Sequence, residues 1–75
     1  MDVKMVLDAK GLSCPMPIVK AKKAINELSS GEILEIHATD QGSKSDIPAW
    51  TKSGGHELLK ETEEENIIKF WIKKA

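Results

Sequence analysis

The chain has 75 residues, with 11 basic and 12 acidic side chains, a formal net charge of −1 and a single cysteine. A chain of this size makes one domain with a radius of gyration of about 11 Å and a modest core, so a large enclosed active site is excluded and chemistry belongs at the surface. Near-neutral charge provides no global field for nucleic acid or an anionic membrane, and one cysteine cannot close an internal disulfide. No apolar run approaches membrane-spanning length and the first residues do not resemble a signal peptide, so the reading is a soluble cytoplasmic protein.

Taken in order, Val3 to Asp8 alternates, with Val3, Met5 and Leu7 on one face and Lys4, Val6 and Asp8 on the other, the period of a half-buried strand. Ala9 to Ser13 is a short connection in which Gly11 supplies freedom at positive φ. The next residues, Cys14-Pro15-Met16-Pro17, open an amphipathic helix that continues to Leu28 and ends at Ser29-Ser30-Gly31. Its stripe of Ile18, Ala21, Ile25 and Leu28 must face a sheet, while Lys20, Lys23 and Glu27 face away. Lys20, Lys22 and Lys23 fall in the first half of that helix, where the dipole does not favour cations. They are either a solvated face or a docking patch for an acidic partner.

The position of the cysteine is unusual. A residue before proline is pushed out of the helical region and proline suits the first helical position, which makes Cys14 the expected N-cap. Prolines at the first and third helical positions remove two amides and leave chiefly that of Met16 for the sulfur. The positive end of a helix lowers cysteine pKa values to about 3.5–7.5, so the expectation is an exposed, partly ionised thiolate. The alternative is a small buried hydrophobe. On this reading the pair Pro15 and Pro17 serves the geometry of Cys14 more than bulk stability.

Glu32 to Ala38 reads as a second strand with Leu34, Ile36 and Ala38 on one face, and the strand, helix, strand order implies a parallel pair with a right-handed crossover. Cys14 then lies in the loop after a carboxyl strand end, where open α/β sheets carry function. Asp40-Gln41-Gly42 is a turn, and Ser43-Lys44-Ser45-Asp46 has capping-box spacing at the head of a second helix. Pro48 predicts a late start or an irregular first turn there. Trp50 reads as core. His56 to Glu63 and Asn66 to Lys73 form a hairpin with Ile68, Phe70 and Ile72 toward the helices and Ile67, Lys69, Trp71 and Lys73 on the opposite face. The cluster Glu61, Glu63, Glu64 and Glu65 reads as a solvated turn.

Several chemistries drop out. Without a second cysteine there is no resolving thiol, and His37 and His56 give no metal spacing. A cysteine hydrolase would need a histidine base beside Cys14, for which His56 stays open, although a shallow domain offers little room for its substrate. What remains is one activated sulfur that one protein loads and another unloads.

Leu7-Asp8, Gly11, Cys14-Pro15-Met16-Pro17, then Asp46-Ile47-Pro48 with Trp50, and Gly55-His56-Glu57-Leu58 resemble the TusA/SirA family of small sulfur carriers over almost the whole chain. The resemblance implies an α+β fold, a two-layer sandwich in β-α-β-α-β-β order similar to the C-terminal domain of translation initiation factor three. Its mixed four-stranded sheet carries two helices on one face and holds the last strand antiparallel between strands two and three. It also implies a sulfurtransferase-type role in which Cys14 accepts sulfane sulfur as a persulfide and passes it to another protein's cysteine, with Gly11, Pro15, Met16 and Pro17 as the supporting motif. The implied partners are a persulfide donor, such as a cysteine desulfurase or a rhodanese-like protein, and a sulfur-accepting protein; no cofactor or metal is called for. Lys20 and Lys23 are the candidate partner-binding residues.

Two features depart from the family pattern. Ser13 stands where many members carry a basic residue before the cysteine, with Lys10, Lys20 and Lys44 as candidates to replace it. Thr51 stands near the place of a second cysteine found in some members. The competing class is a binding or regulatory module of the same fold, contacting protein or nucleic acid, in which Cys14 is incidental.

Overall fold

Six elements follow one another in the computed structural model, which describes residues 2–13 and 15–75. They are β1 (Val3–Ala9), α1 (Met16–Ile25), β2 (Ile33–Ala38), α2 (Ser43–Ser53), β3 (Glu57–Glu64) and β4 (Ile67–Lys73). The strands form one sheet in the order β1-β2-β4-β3. β1 runs parallel to β2, and β4 lies antiparallel to both β2 and β3. This is the mixed four-stranded α+β sheet that the family resemblance implies, with the last strand between the second and third.

The alternation in sequence sets the two faces of this sheet. Leu34, Ile36, Ala38, Ile68, Phe70 and Ile72 are fully buried under the helices, and Ala21, Ala24, Ile25, Leu28 and Ile47 close the core from above. Each large apolar side chain buried in this way contributes about 1.5–3 kcal/mol. The residues between them, Glu35, His37, Ile67, Lys69 and Trp71, are half-buried on the other face. The Cα radius of gyration is 10.9 Å, as the chain length predicts.

Helix boundaries depart from the sequence expectation, and each departure has a local cause. α1 ends at Ile25, not Leu28, because the amides of Glu27 and Leu28 turn to the carbonyls of Ala24 and Ile25 at 3.0 and 3.1 Å, tightening the chain past its C-cap Asn26. Lys22 and Lys23 therefore stand in the last turn, where the dipole favours them, rather than in an unfavourable first half. α2 begins at Ser43 with Gly42 as N-cap and no side-chain cap, so the capping box does not form. Ser43 is 2% exposed and its Oγ has no hydrogen-bond partner among the described residues. Pro48 sits inside a continuous helix, not before a late start. The amides of Ser45 and Asp46 share the Gly42 carbonyl at 3.1 and 3.0 Å, which gives that first turn its irregularity.

The hairpin closes through two residues only, Glu65 at φ +50° and Asn66 at φ +67°, the pattern of the primed turns whose twist suits paired strands. On the helix side, the carboxylate of Glu63 accepts from the Lys44 ammonium and from Gln41 Nε2 at 3.3 Å, joining β3 to the head of α2. Glu61, Glu63, Glu64 and Glu65 are all exposed, as read from the sequence, and the two donors to Glu63 hold its carboxyl below the usual range.

Candidate functional site

The site is built from the loop between β1 and α1. Gly11 takes φ +80°, as expected for the turn out of the strand. The Lys10 amide donates to Asp8 Oδ1 at 3.0 Å and the Leu12 amide to the Ala9 carbonyl at 3.3 Å, so the loop folds back on the end of its own strand. The Gly11 amide instead reaches across to Thr39 Oγ1 at 2.9 Å, beyond the end of the neighbouring strand β2. Cys14 lies outside the described residues.

The helix entrance differs from the sequence reading. Pro15, at φ −96° and ψ 11°, is the N-cap, and Met16 and Pro17 are the first two helical residues. The expected N-cap role of Cys14 therefore passes to Pro15. Nor is the Met16 amide free for a sulfur, since it donates to the Ser13 carbonyl at 2.9 Å and closes a turn ahead of the helix. Pro15 and Pro17, flanking Met16, have no amides to offer. Pro17 is fully buried, which gives it a packing role as well as a geometric one, whereas Met16 is 42% and Val19 50% exposed.

Beside Pro15 runs a groove of about 430 Å³ between the two helices, lined by Pro15, Ile18 and Lys22 from α1 and by Asp46, Ala49, Trp50 and Ser53 from α2. Trp50 is half-buried here, packed on the core with one side toward the groove, so it serves as both core and surface. Lys20 and Lys23 stand on the other flank of α1, where with Met5, Leu7, Ala24 and Glu27 they line a separate hollow of about 170 Å³ over the edge strand. The predicted residues are therefore split: Pro15 belongs to the groove, and the lysine pair does not. The lysine facing the groove is Lys22. Sequence spacing placed Lys20 and Lys23 outward but could not say which flank met the second helix.

The two histidines stand at opposite ends of the sheet. The His56 ring accepts from the Ala75 amide at 3.0 Å and lies 5.7 Å from the Trp50 ring, just before β3. Glu57 pairs with Lys73, and Lys73 with Ile33, at the end of the sheet opposite Ala9 and Ala38. Five strand steps, about 17 Å, separate the two ends, so His56 is not a base for chemistry at the loop. The His37 ring binds Glu35 on the open face of the sheet, where Glu35 also accepts from Trp71 Nε1 at 2.9 Å. Lys44, a candidate to replace the missing basic neighbour of the cysteine, is engaged by Glu63. Thr51 is buried and donates its hydroxyl to the Ile47 carbonyl at 2.7 Å.

Chemically, the described surface around Pro15 offers an apolar groove with one cation and one carboxylate and no histidine. It suits the approach of another protein's side chains better than acid and base work on an enclosed substrate. Sequence reading missed the groove and the Thr39 contact, because both depend on which elements become neighbours.

A family model described as "Sulfurtransferase TusA" matches residues 5–74. The chain is 70% identical over 70 residues to YrkI of Bacillus subtilis (strain 168), a candidate sulfur carrier protein, with 93% of each chain covered. It is 47% identical over 74 residues to the sulfur carrier protein TusA of Allochromatium vinosum, covering 99% of this chain and 97% of that one. Among solved structures, the SirA-like protein from Desulfitobacterium hafniense matches with a TM-score of 0.82 at 25% identity, over 92% of this chain and 95% of that one. With the loop, the proline-capped helix and the sheet order all in place across the matched span, the chain belongs to the TusA sulfurtransferase family.

Proposed function

We propose that residues 1–75 form one sulfur-carrier domain that acts in the cytoplasm, taking up sulfane sulfur on Cys14 and delivering it to a cysteine of a second protein. The observation that carries this reading is the family match over residues 5–74, which spans the single cysteine and the prolines that follow it. Pro15, the next residue in the sequence after Cys14, is the N-cap of α1, and a helix N-terminus favours an anionic sulfur, which supports a thiolate at neutral pH.

In the loading step the Cys14 thiolate attacks the outer sulfur of a donor persulfide. A new sulfur–sulfur bond forms on Cys14, the donor's breaks, and the donor sulfur leaves as a thiolate. Delivery is the same exchange with Cys14 as leaving group, so the two steps need no external oxidant or reductant. Gly11, Pro15, Met16 and Pro17 shape the approach, and Lys20 and Lys23 steer an acidic partner, either a cysteine desulfurase or rhodanese-like donor or the acceptor.

Incubation with a cysteine desulfurase and cysteine, or with a rhodanese and thiosulfate, is expected to add the mass of one sulfur atom. Reductant removes it, and a folded Cys14→Ser variant never gains it. A chain that stays unloaded with both donors while its thiol is free, or a Cys14→Ser variant with undiminished activity, overturns the reading in favour of a binding module.

A further inference from the structure

Every loop amide from Lys10 to Leu12 has a partner, yet only one of these bonds leaves the local stretch of chain. Lys10 turns to Asp8 and Leu12 to Ala9, both in β1. Gly11 alone reaches a distant segment, and it does so through the Thr39 side chain, 28 residues away. Gly11 is also the residue least able to hold its own conformation, since at φ +80° it carries no side chain and nothing lies within 4 Å of where one would project. A pivot of that kind keeps one position only if something outside it acts as a stop.

Thr39 is well placed for the task. It directly follows Ala38, which is fully buried and paired with Ala9 on one side and Ile68 on the other, so its backbone is held by the middle of the sheet. It also directly precedes Asp40, whose carbonyl accepts from the Ser43 amide at 3.0 Å as α2 begins. The same hydroxyl contact therefore ties the loop ahead of Cys14 to the helix whose Asp46 and Trp50 form the far wall of the groove beside Pro15.

We infer that Thr39 is a positioning residue for sulfur transfer, whose hydroxyl fixes the Gly11 pivot and thereby the approach of the cysteine loop to a partner's sulfur. This rests on the carrier reading above. Its influence passes through the backbone of Gly11 to Ser13.

The test compares Thr39→Val, which keeps the shape and loses the acceptor, with Thr39→Ser, which keeps the acceptor. Thr39→Val is expected to lower the rate of loading from a saturating persulfide donor by about tenfold with little change in KM, because misplacement rather than lost binding is the defect. The Gly11 amide should exchange faster with solvent, and the pH profile of Cys14 alkylation should move toward the ordinary cysteine value of about 8.5. Thr39→Ser restores all three. Tm in Thr39→Val should fall by no more than roughly 4–8 °C, the scale of one exposed hydrogen bond in a chain this size. The inference is overturned if Thr39→Val loads and alkylates like wild type, or if Thr39→Ser fails alongside it. A wild-type protein that never loads sulfur defeats the carrier reading instead, and the alkylation and exchange profiles still decide the role of Thr39.

Discussion

The indole N–H of Trp71 donates to Glu35 at 2.9 Å on the sheet face turned away from the helices, and the other oxygen of that carboxylate binds the His37 ring. The bond with His37, helped by Trp71 and by the charge of Lys69, holds the Glu35 carboxyl below its usual value of 4.5 against the opposing effect of burial. A carboxyl whose folded value is depressed contributes stability that is present above the unfolded value and lost as pH falls through the folded one. Stability should therefore fall once pH drops below 4.5, and Glu35→Gln should flatten that decline while lowering stability near neutrality. Urea unfolding followed by tryptophan fluorescence across the acid range measures it. Equal acid slopes in the two proteins would refute the assignment.

The two prolines of the motif should separate in their effects. Pro17 is buried in the core, so Pro17→Ala is expected to cost about 1–2 kcal/mol through lost packing. Pro15 is exposed at the N-cap, and Pro15→Ala should change stability by less than about 0.5 kcal/mol while altering the alkylation rate of Cys14. Denaturant titration and an alkylation time course, run on both variants, test the division; a Pro15→Ala protein with unchanged alkylation would remove that proline from the site.

Charge reversal at Lys20 and Lys23 should slow sulfur loading severalfold at low salt. The deficit should close at about 1 M salt, where the screening length is near 3 Å. Lys22→Glu serves as the comparison, since Lys22 faces the groove and the other two face the edge strand. If Lys22→Glu alone slows loading, the partner approaches over the groove and the lysine pair is a solvated face.

Glu65 holds φ +50° at the hairpin tip, a conformation that costs residues other than glycine and asparagine about 1–2 kcal/mol. Glu65→Asn should recover roughly 0.5–1 kcal/mol and raise Tm by a few degrees. A thermal melt that does not move, or moves down, would show that the glutamate is compensated elsewhere.

The sheet was readable wherever one residue's side decided its neighbour's. Ile68, Phe70 and Ile72 against Ile67, Lys69 and Trp71 is a parity that packing cannot alter without moving the whole strand, and both faces came out as read. Helix ends were less legible because several residues compete for each cap. Ser43 has a better capping side chain than Gly42, yet burial of Ser43 under the sheet's helical layer places it inside α2. At α1, the competition for the Met16 amide was won by the Ser13 carbonyl, which no spacing rule weighs. The contacts Lys44 to Glu63 and Gly11 to Thr39 join residues 19 and 28 positions apart. They become visible only when strand order is known, because that order decides which loops share an end of the sheet.

Placing β4 between β2 and β3 also governs how the chain can fold during synthesis. The first half, β1-α1-β2, can collapse as soon as it emerges, but the inner edge of β2 then carries the unpaired segment Ile33-Leu34-Glu35-Ile36-His37-Ala38. Its natural partner is the last of the six elements to leave the ribosome, and β3 has only β4 to pair with. The sheet can therefore close only once β4 has been made through Lys73. Until then the nascent chain exposes an apolar strand edge, the kind of surface that holding chaperones recognise and that drives aggregation when synthesis outruns them.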